Sequence, residues 1–191
     1  MDNKTLPGRL GNPEATLLTD PRLDLRIRAL LEAAGDLVSG IVPPGVVASY
    51  EDCLDYCASF ESITAEVHPL ARAAMPKFET LASRVEFIEG QDGNQVTLFI
   101  HEPKTRRGPL PCVVHLHGGG MVLMTAADPG FERWRCALAE AGMVVIGVEF
   151  RNGGGRLGNH PFPAGLNDCA SAVRWADENR AALGLSAIVI S

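Results

Sequence analysis

The sequence lacks any apolar run that is long enough for the core of a signal peptide or for a membrane span. It also lacks runs of lysine and arginine, and its formal net charge is −6. Without a basic patch, neither nucleic acid nor an anionic membrane surface is expected as a partner. These absences predict a cytoplasmic protein with no membrane span and no nucleic-acid partner.

Cysteine pairs with the spacing of a redox or zinc motif are also missing. The chain has five cysteines, but no two of them form a CxxC pair. Cys53 and Cys57 are one helical turn apart, which is compatible with a metal or redox pair, yet no nearby histidine completes a site. We therefore interpret both as small apolar residues in a reducing compartment, and we expect neither a metal nor a cofactor.

Residues 1–80 form the first predicted segment, a loose polar arm followed by a helical cap. The arm ends at Asp20-Pro21, which is the predicted start of a first helix. A second helix is predicted from about Ser49, with an interruption at His68-Pro69. We interpret residues 21–75 as a cap or a dimer-contact segment, with a helical layer packed on the core as the alternative.

Residues 81–191 form the second predicted segment, in which strand and helix patterns alternate. A hairpin signal is followed by strand, helix, strand, helix and strand, which is typical of an α/β fold with a mainly parallel sheet and helices on both faces. The sequence ends after the fifth strand, so we expect an incomplete α/β core. The predicted strands cover residues 85–88, 96–100, 109–116, 143–148 and 187–190, and the predicted helices cover residues 131–141 and 165–183.

The tetrapeptide His117-Gly118-Gly119-Gly120 directly follows the third strand, at the carboxyl end where the active sites of such sheets lie. Three successive glycines leave the backbone without Cβ atoms, so its N–H groups can approach a ligand. A strand followed by this tetrapeptide is one known way to build an oxyanion hole, in which backbone donors hold the negative oxygen of a tetrahedral acyl intermediate. The motif therefore predicts an acyl hydrolase.

A second glycine-rich stretch, Gly153-x-Gly155-x-x-Gly158, formally matches the dinucleotide-binding fingerprint. That fingerprint opens a helix at once, whereas the two prolines of His160-Pro161-Phe162-Pro163 delay any helix to about Ala164. We therefore do not expect a nucleotide cofactor at this stretch.

The histidines and the acidic residue near these loops have mainly structural interpretations. His117 is interpreted as a brace of its loop in preference to a general base. His115 is predicted to be a core residue with satisfied hydrogen bonds. Asp168 is predicted to be a structural carboxylate near a helix N-terminus, where it satisfies free backbone donors. His160 lies in a loop near the carboxyl ends of the strands, so a catalytic role is an open alternative, although nothing else in the sequence supports it.

The arginines, the remaining cysteines and the tryptophans are also interpreted structurally. Arg151 and Arg156 are expected to hold loops above the sheet, with binding of an acidic substrate as the alternative. Neither Cys112 nor Cys136 lies at a strand-to-helix turn, so both are rejected as nucleophiles. The two tryptophans, Trp134 and Trp175, are predicted to pack between helix and sheet.

Several motifs, in this order, resemble the hormone-sensitive-lipase-like branch of the α/β-hydrolase esterases. They are His117–Gly120, Val148-Glu149-Phe150-Arg151, His160–Ala164 and Asn167-Asp168-Cys169, within about residues 80–191. The resemblance implies hydrolysis of a small acyl-ester substrate. It also implies that the N–H groups of Gly119 and Gly120 are two of three oxyanion donors, while Gly118 and His117 shape the turn.

The sequence departs from the pattern of that family in two places. Phe150 stands where the family has tyrosine, and residues 152–159 lengthen the stretch before Pro-Phe-Pro-Ala, which affects the expected pocket wall. The nucleophile of the family lies in a Gly-x-Ser-x-Gly elbow directly after the fifth strand, but this sequence contains no such pattern and ends at Ser191. The acid and the histidine of the triad come later still, so we expect no triad-dependent esterase activity from this chain alone.

Two hypotheses follow from the end at Ser191. The first is that the sequence is part of a longer esterase whose C-terminal half is missing, and a break inside a motif instead of at a domain boundary favours it. The second is a non-catalytic module that binds an acyl ligand, pairs with a second copy as a homodimer, or complements the missing half. The apolar fifth strand supports this second hypothesis, because an unpaired edge invites pairing.

Overall fold

The computed structural model describes residues 12, 14–29, 31–32 and 43–191. They belong to two compact units, Met1–Pro43 and Pro44–Ser191. In the first unit, residues 25–29 and 31–32 are helical. The predicted start at Asp20-Pro21 is wrong by four residues, because the Asp20 carboxylate accepts from the N–H of Arg22 at 2.9 Å and holds a turn there. The rest of the predicted first helix and most of the predicted polar arm lie outside the described residues.

The second unit contains four helices and five strands within its described residues. The helices are α1 (Tyr50–Ala73), α2 (Pro129–Glu140), α3 (Ala164–Glu178) and α4 (Arg180–Leu183). The strands are β1 (Leu81–Glu89), β2 (Gln95–Pro103), β3 (Leu110–Leu116), β4 (Val144–Glu149) and β5 (Leu185–Ile190). Every predicted strand is present, and α1 lies in the same compact unit as the sheet.

The five strands form one sheet in the order β1-β2-β4-β3-β5. β1 pairs with β2, and β2 with β4, in antiparallel fashion, whereas β3 runs parallel to both β4 and β5. The sheet is therefore mixed, and its parallel part is the half formed by β4, β3 and β5. The predicted α/β-hydrolase-like class is confirmed, with helices on both faces of the sheet, but the sheet is mixed and not mainly parallel, because β2 pairs in antiparallel fashion with both β1 and β4.

Two apolar clusters show how alternate residues of the strands divide between these faces. Val144, Ile146 and Val148 of β4 pack in one cluster with Cys169, Ala172 and Ala176 of α3. The intervening Val145 packs in the other cluster with Cys136 and Ala139 of α2. This alternation follows from the two-residue repeat of a strand, and it explains why β4 is apolar along its whole length.

The helix α1 begins where the sequence predicts, but it does not break at His68-Pro69. Ser49 and Asp52 form a capping box at its start. Pro69 lies inside the helix, where it removes one hydrogen bond of the backbone ladder. The prediction of an interruption is wrong because later contacts hold the last turn: Arg72 donates to the carbonyl of Ala127 at 2.7 Å and pairs with Glu132.

The face that α2 turns to the sheet is also different from the predicted one. Trp134 is 52% exposed, whereas Arg135, Cys136 and Ala139 are buried. The guanidinium group of Arg135 lies over Phe99, and a Cβ on Gly147 would stand 2.6 Å from Cδ of Arg135. The long arginine side chain thus occupies room that a glycine in β4 leaves. The predicted packing of Trp175 is confirmed, since it contacts the core cluster on the face of α3.

Leu166, near the start of α3, is 49% exposed and lies on the loop side of that helix. Within the described ranges, none of the helices combines the length and the apolar character that crossing a bilayer requires.

Candidate active site

Three backbone segments meet at the carboxyl ends of the parallel strands. The loop after β3 covers residues 117–128, and we call it the first loop. The loop after β4 covers residues 150–163, and we call it the second loop. Ser191 follows β5, donates to the carbonyl of Val114 at 3.0 Å and accepts from Leu116 at 2.8 Å. The parallel order of the strands therefore brings Ser191 next to His117.

The backbone of the first loop takes a conformation that requires glycine at position 119. Its φ is +116°, and a Cβ built there would stand 2.1 Å from the carbonyl oxygen of Leu123. The chain folds tightly at this point, since the N–H groups of Val122 and Leu123 both donate to the carbonyl of Gly119, at 3.1 and 3.3 Å. Gly119 is thus held between its own turn and the Leu123–Met124 peptide.

The N–H groups of Gly119 and Gly120 are available as donors. Neither donates to any acceptor among the residues that the structure describes. Gly120 also has positive φ, +65°, and a Cβ added there would meet no atom within 4 Å. Two successive backbone donors beside open space are the arrangement that can hold a negative oxygen. The loop therefore has the backbone features expected of an oxyanion hole at the predicted residues.

His117 lies beneath these glycines and braces them. Its ring stacks on Phe150 with centroids 4.1 Å apart and an interplanar angle of 5°. Its Nδ1 lies 2.8 Å from the carbonyl of Gly118, so this nitrogen carries the proton and donates. Burial lowers the pKa of His117, and the neutral ring fits the predicted role as a loop-shaping residue. Gly118 completes the turn, with Phe131 in ordinary contact range at 3.5 Å from an added Cβ.

A cavity of about 350 Å³ opens beside Gly120, between the first and second loops. Its walls are mainly apolar and include Met121 and Val122 from the first loop, Phe162 from the second loop and Leu166 from the first turn of α3. His160 also lines this cavity and is exposed, so its possible catalytic role stays a prediction. An apolar cavity with a free backbone donor, that of Gly120, at its wall can hold a small ligand with one polar centre.

Arg151 starts the second loop and is fully occupied by structural contacts. Its backbone N–H and Nε both donate to one oxygen of Asp168, at 2.8 and 2.9 Å, and its terminal nitrogen donates to the other oxygen at 2.8 Å. The same terminal nitrogen also donates to Asp92 at 2.6 Å. The carboxylate of Asp168 raises the pKa of Arg151, so the guanidinium stays charged. These contacts agree with the structural interpretation of both residues.

The sequence does not reveal the acidic residues that hold the first loop. Glu149, at the end of β4, accepts from the N–H of Ala126 at 2.8 Å and from the hydroxyl of Thr125. Glu61 of α1 accepts from the N–H groups of Met124 and Arg156, each at 2.7 Å. Glu149 lies in the Val148–Arg151 motif, but that motif does not indicate a contact with the first loop. Glu61 lies in no recognisable motif, and a glutamate in a helix ordinarily faces solvent. The side chain of Arg156 itself is more than half exposed.

The glycine fingerprint of the second loop does not have the geometry of a dinucleotide site. Its helix begins only at Ala164, whereas a pyrophosphate site needs the helix N-terminus at the glycines. The N–H groups of Gly153 and Gly154 donate to the carbonyls of Met121 and Val122, at 2.9 and 2.8 Å. Both donors therefore already have acceptors within the protein and are not free to bind phosphate.

One histidine and two cysteines near the sheet are buried and neutral. Burial lowers the pKa of His115 to about 4, and its Nδ1 has no hydrogen-bond partner among the described residues. The prediction that its hydrogen bonds are satisfied is thus wrong for this atom, because the ring is buried against the apolar ring of Phe131 of α2, with centroids 5.9 Å apart. Burial raises the pKa of Cys112 to about 11 and also raises that of Cys136. Neither thiol is activated, in agreement with their rejection as nucleophiles.

Comparisons with known proteins connect this geometry to esterases. The sequence model of the BD-FAE family matches residues 98–191. Carboxylesterase NlhH of Mycobacterium tuberculosis is 37% identical over 98 residues, which are 50% of this chain and 28% of that protein. Tuliposide A-converting enzyme b1 of Tulipa gesneriana is 28% identical over 105 residues, 53% of this chain and 26% of that protein.

Solved esterase structures resemble nearly the whole chain. Brefeldin A esterase, a bacterial homologue of human hormone-sensitive lipase, superposes with a TM-score of 0.73 and 36% identity, over 97% of this chain and 52% of that one. Esterase Est22 superposes with a TM-score of 0.75 and 29% identity, over 92% of this chain and 52% of that one. The chain thus spans about half the length of these esterases. By its motifs, its sheet order and these likenesses, the chain resembles the N-terminal portion of the hormone-sensitive-lipase-like α/β-hydrolase esterases and shares their fold over the matched residues.

Proposed function

We propose that this chain provides the oxyanion part of the active site of a serine carboxylesterase that acts on small acyl esters. One observation carries the proposal: the N–H groups of the adjacent residues Gly119 and Gly120 are without an acceptor in the described structure, and Gly120 lines a mainly apolar cavity. The names of the relatives support the same reaction class, since NlhH is a carboxylesterase and two of the similar structures are esterases.

The proposed chemistry follows from the position of these donors. When a serine attacks the ester carbonyl, the carbonyl oxygen takes up negative charge, and the two N–H groups donate hydrogen bonds to it. Each such donor contributes about 3 kcal/mol to transition-state stabilisation in enzymes of this type. The contact between Gly119 and Leu123 fixes the donor before the reaction, so little reorganisation is needed during it.

The nucleophile itself is proposed to come from sequence beyond this chain. A Gly-x-Ser-x-Gly elbow that follows the fifth strand would begin next to Ser191, whose backbone pairs with Val114 and Leu116 directly before His117. An elbow in this position would stand beside the two oxyanion donors. The triad acid and histidine would come from the same additional segment.

The test compares the chain alone with the chain fused at Ser191 to the C-terminal segment of an esterase relative that carries its elbow, acid and histidine. Hydrolysis of a short p-nitrophenyl ester is measured with and without an organophosphonate. We expect no organophosphonate-sensitive hydrolysis by the chain alone and clear activity by the folded fusion. A folded fusion without activity would refute the proposed function, and sensitivity of the chain alone would refute the external nucleophile.

A second candidate is a non-catalytic module that pairs with another polypeptide. β5 is an edge strand of the described sheet, and Val189 and Ile190 are 56% and 55% exposed. Exposed apolar residues on an edge strand favour pairing with another chain or with a second copy. A monodisperse monomer in light scattering at high concentration would count against this candidate. The nucleotide sequence downstream of the Ser191 codon separates the two, because an encoded Gly-x-Ser-x-Gly favours the esterase.

A further inference from the structure

A single glutamate of α1 joins the two loops that form the candidate site. Glu61 is partly buried, and each of its carboxylate oxygens accepts one backbone hydrogen bond of 2.7 Å. One oxygen accepts from the N–H of Met124 in the first loop, and the other accepts from the N–H of Arg156 in the second loop. Hydrogen bonds from backbone N–H groups to a carboxylate are charge-assisted and stronger than neutral ones.

The contact with Met124 acts on the predicted oxyanion donor through one peptide group. The N–H of Met124 and the carbonyl of Leu123 belong to the same planar peptide. That carbonyl oxygen is the atom that lies 2.1 Å from the position of a Cβ on Gly119. Within this plane the N–H and the C=O bonds point in opposite directions. A hydrogen bond from Glu61 that holds the N–H therefore also fixes the carbonyl oxygen, which lies against Gly119.

The backbone around this peptide does not hold itself in place. Met124 has a φ of +76°, which is unfavourable for a residue with a side chain. Such a conformation persists only where neighbouring groups fix it. Glu61 and Asn152 supply these groups, since Asn152 donates to the carbonyl of Met124 at 2.7 Å. Among the described residues, Glu61 is the only one that accepts a hydrogen bond from the N–H of Met124.

The second loop leaves room for the same carboxylate. A Cβ on Gly155 would lie 2.4 Å from Oε1 of Glu61, and φ of Gly155 is +64°. Simple attachment of α1 does not require this arrangement, because Arg72 donates to the carbonyl of Ala127 and Tyr50 bonds to Asn159 at other points along the helix. Both oxygens of Glu61 are directed to backbone donors of the site loops.

From this geometry we propose that Glu61 is a positioning residue of the oxyanion hole, through which α1 sets the orientation of the Gly119 N–H. The proposal rests on the proposed function for its catalytic meaning, but its structural content concerns only the positions of backbone groups. It predicts that the helical cap segment and the oxyanion loop are coupled by this carboxylate.

The first experiment measures the loops directly in the full 191-residue chain by ¹H–¹⁵N NMR and amide hydrogen exchange. In the wild-type chain we expect the amides of Met124 and Arg156 to be protected and those of Gly119 and Gly120 to exchange fast. In Glu61→Gln, which keeps the side-chain size but turns one acceptor into a donor, we expect exchange at Met124 or Arg156 to increase about tenfold or more. The resonance of Gly119 should shift as well.

The matched control is Glu66→Gln on the same helix, because Glu66 is exposed and makes no hydrogen bond in the described structure. It should leave the resonances of Gly119 and Gly120 unchanged. If Glu61→Gln, folded by circular dichroism, shifts Gly119 no more than the control does, the proposal is refuted. Unprotected Met124 and Arg156 amides in the wild-type chain would refute it without any variant, so a variant that fails to fold does not remove the test.

The second experiment uses the fused esterase described above. We expect Glu61→Gln to lower kcat by about tenfold or more with KM nearly unchanged, since an oxyanion contact forms fully only in the transition state. An equal rise of KM with constant kcat would contradict a positioning role. An inactive wild-type fusion would count against the proposed function, whereas the NMR result would still decide the position of Gly119.

Discussion

The two glycine-rich loops of this protein look similar in sequence but differ in what their backbone donors do. In the first loop, the N–H groups of Gly119 and Gly120 have no acceptor among the described residues. In the second loop, the N–H groups of Gly153 and Gly154 donate to carbonyls of the first loop. One loop thus leaves its donors free, with Gly120 at the wall of the cavity, and the other loop uses its donors to support the first.

This difference shows that a glycine pattern by itself does not define a ligand site. A glycine permits close approach and unusual φ values, but a ligand needs donors that the protein has left free. In the second loop the tight backbone serves packing: Gly154 lies against Cys57 of α1, where an added Cβ would be 3.3 Å from the sulfur. The comparison can be tested by removing the supports of each loop in turn.

The largest effect is expected from the anchor of the second loop. Asp168→Ala removes a carboxylate that is 1% exposed and accepts three hydrogen bonds from Arg151. Because the backbone N–H of Arg151 loses its acceptor and the charged guanidinium keeps only Asp92 as a carboxylate partner, the free energy of unfolding should fall by about 3–5 kcal/mol. Urea denaturation measures this loss. Asp177→Ala on the same helix is the control, since its exposed pair with Arg180 should contribute little.

A comparable loss of stability is expected when the pH is lowered, because a buried histidine lies just before the first loop. Burial lowers the pKa of His115, which lies two residues before that loop, to about 4, and it does the same for His101. The unfolded chain takes up these protons near pH 6.5 and the folded chain does not, so stability is lost as pH falls from about 6.5 to 4. Each histidine can account for up to about 3 kcal/mol.

Unfolding midpoints at pH 7, 6 and 5 measure this dependence. His115→Gln should flatten the dependence, whereas His160→Gln, at an exposed position in the second loop, should leave it as it is. Arg151 stays charged throughout this range because its pKa is raised, so its own charge does not contribute to the loss. Equal stability at pH 7 and 5 would show that the buried histidines are not neutral in the way the structure indicates.

An intermediate effect is expected from the first loop itself. In Gly119→Ala the methyl group would meet the carbonyl of Leu123, and the backbone would keep a φ that alanine rarely adopts. We expect a loss of about 1–3 kcal/mol in stability and a fall in kcat of the fused esterase by about a hundredfold. Gly153→Ala is the matched variant in the second loop, where the nearest atom to the new Cβ is 3.7 Å away. Similar kinetics for the two variants would contradict the assigned difference between the loops.

A smaller effect is expected where the second loop supports the first through a side chain. Asn152 is fully buried and donates to the carbonyl of Met124 at 2.7 Å. Asn152→Ala leaves that carbonyl without this donor, which should lower the free energy of unfolding by about 1–2 kcal/mol. Thermal or urea unfolding measures the change. Asn159→Ala, at an exposed position that contacts Tyr50, should lower the free energy of unfolding by less. A larger loss in Asn159→Ala than in Asn152→Ala would show that the second loop does not support the first.

Much of the fold could be predicted from local patterns. The five strands are apolar runs with turn residues between them, and the start of α1 carries a capping box at Ser49 and Asp52. The orientation of helices was predicted less well. The sequence predicts that Trp134 packs between helix and sheet, yet Trp134 is exposed and the sheet accepts Arg135 over Gly147 instead. A helix with apolar residues on several sides does not itself define the face that the sheet will cover.

The candidate site could be predicted in part. His117 to Gly120 form a continuous motif, so the sequence places the expected oxyanion donors without a structure. Glu61 and Asn152 could not be found in this way, because they are distant in sequence from the loop that they hold and belong to no motif. A glutamate in a helix and an asparagine in a glycine-rich loop ordinarily have local or solvent-facing roles.

The amino-acid sequence alone determined the alternation of strands and helices, the glycine tetrapeptide after β3 and the likeness to esterases, because each depends on residues that are neighbours in the chain. The tertiary structure decided which of two glycine-rich loops keeps its N–H groups free. That outcome depends on acceptors brought from other parts of the chain: the carbonyls of Met121 and Val122 take the donors of the second loop, and Glu61 takes that of Met124. Hydrogen bonds between distant segments form only after the sheet has brought the loops together, so no local pattern in the sequence encodes them.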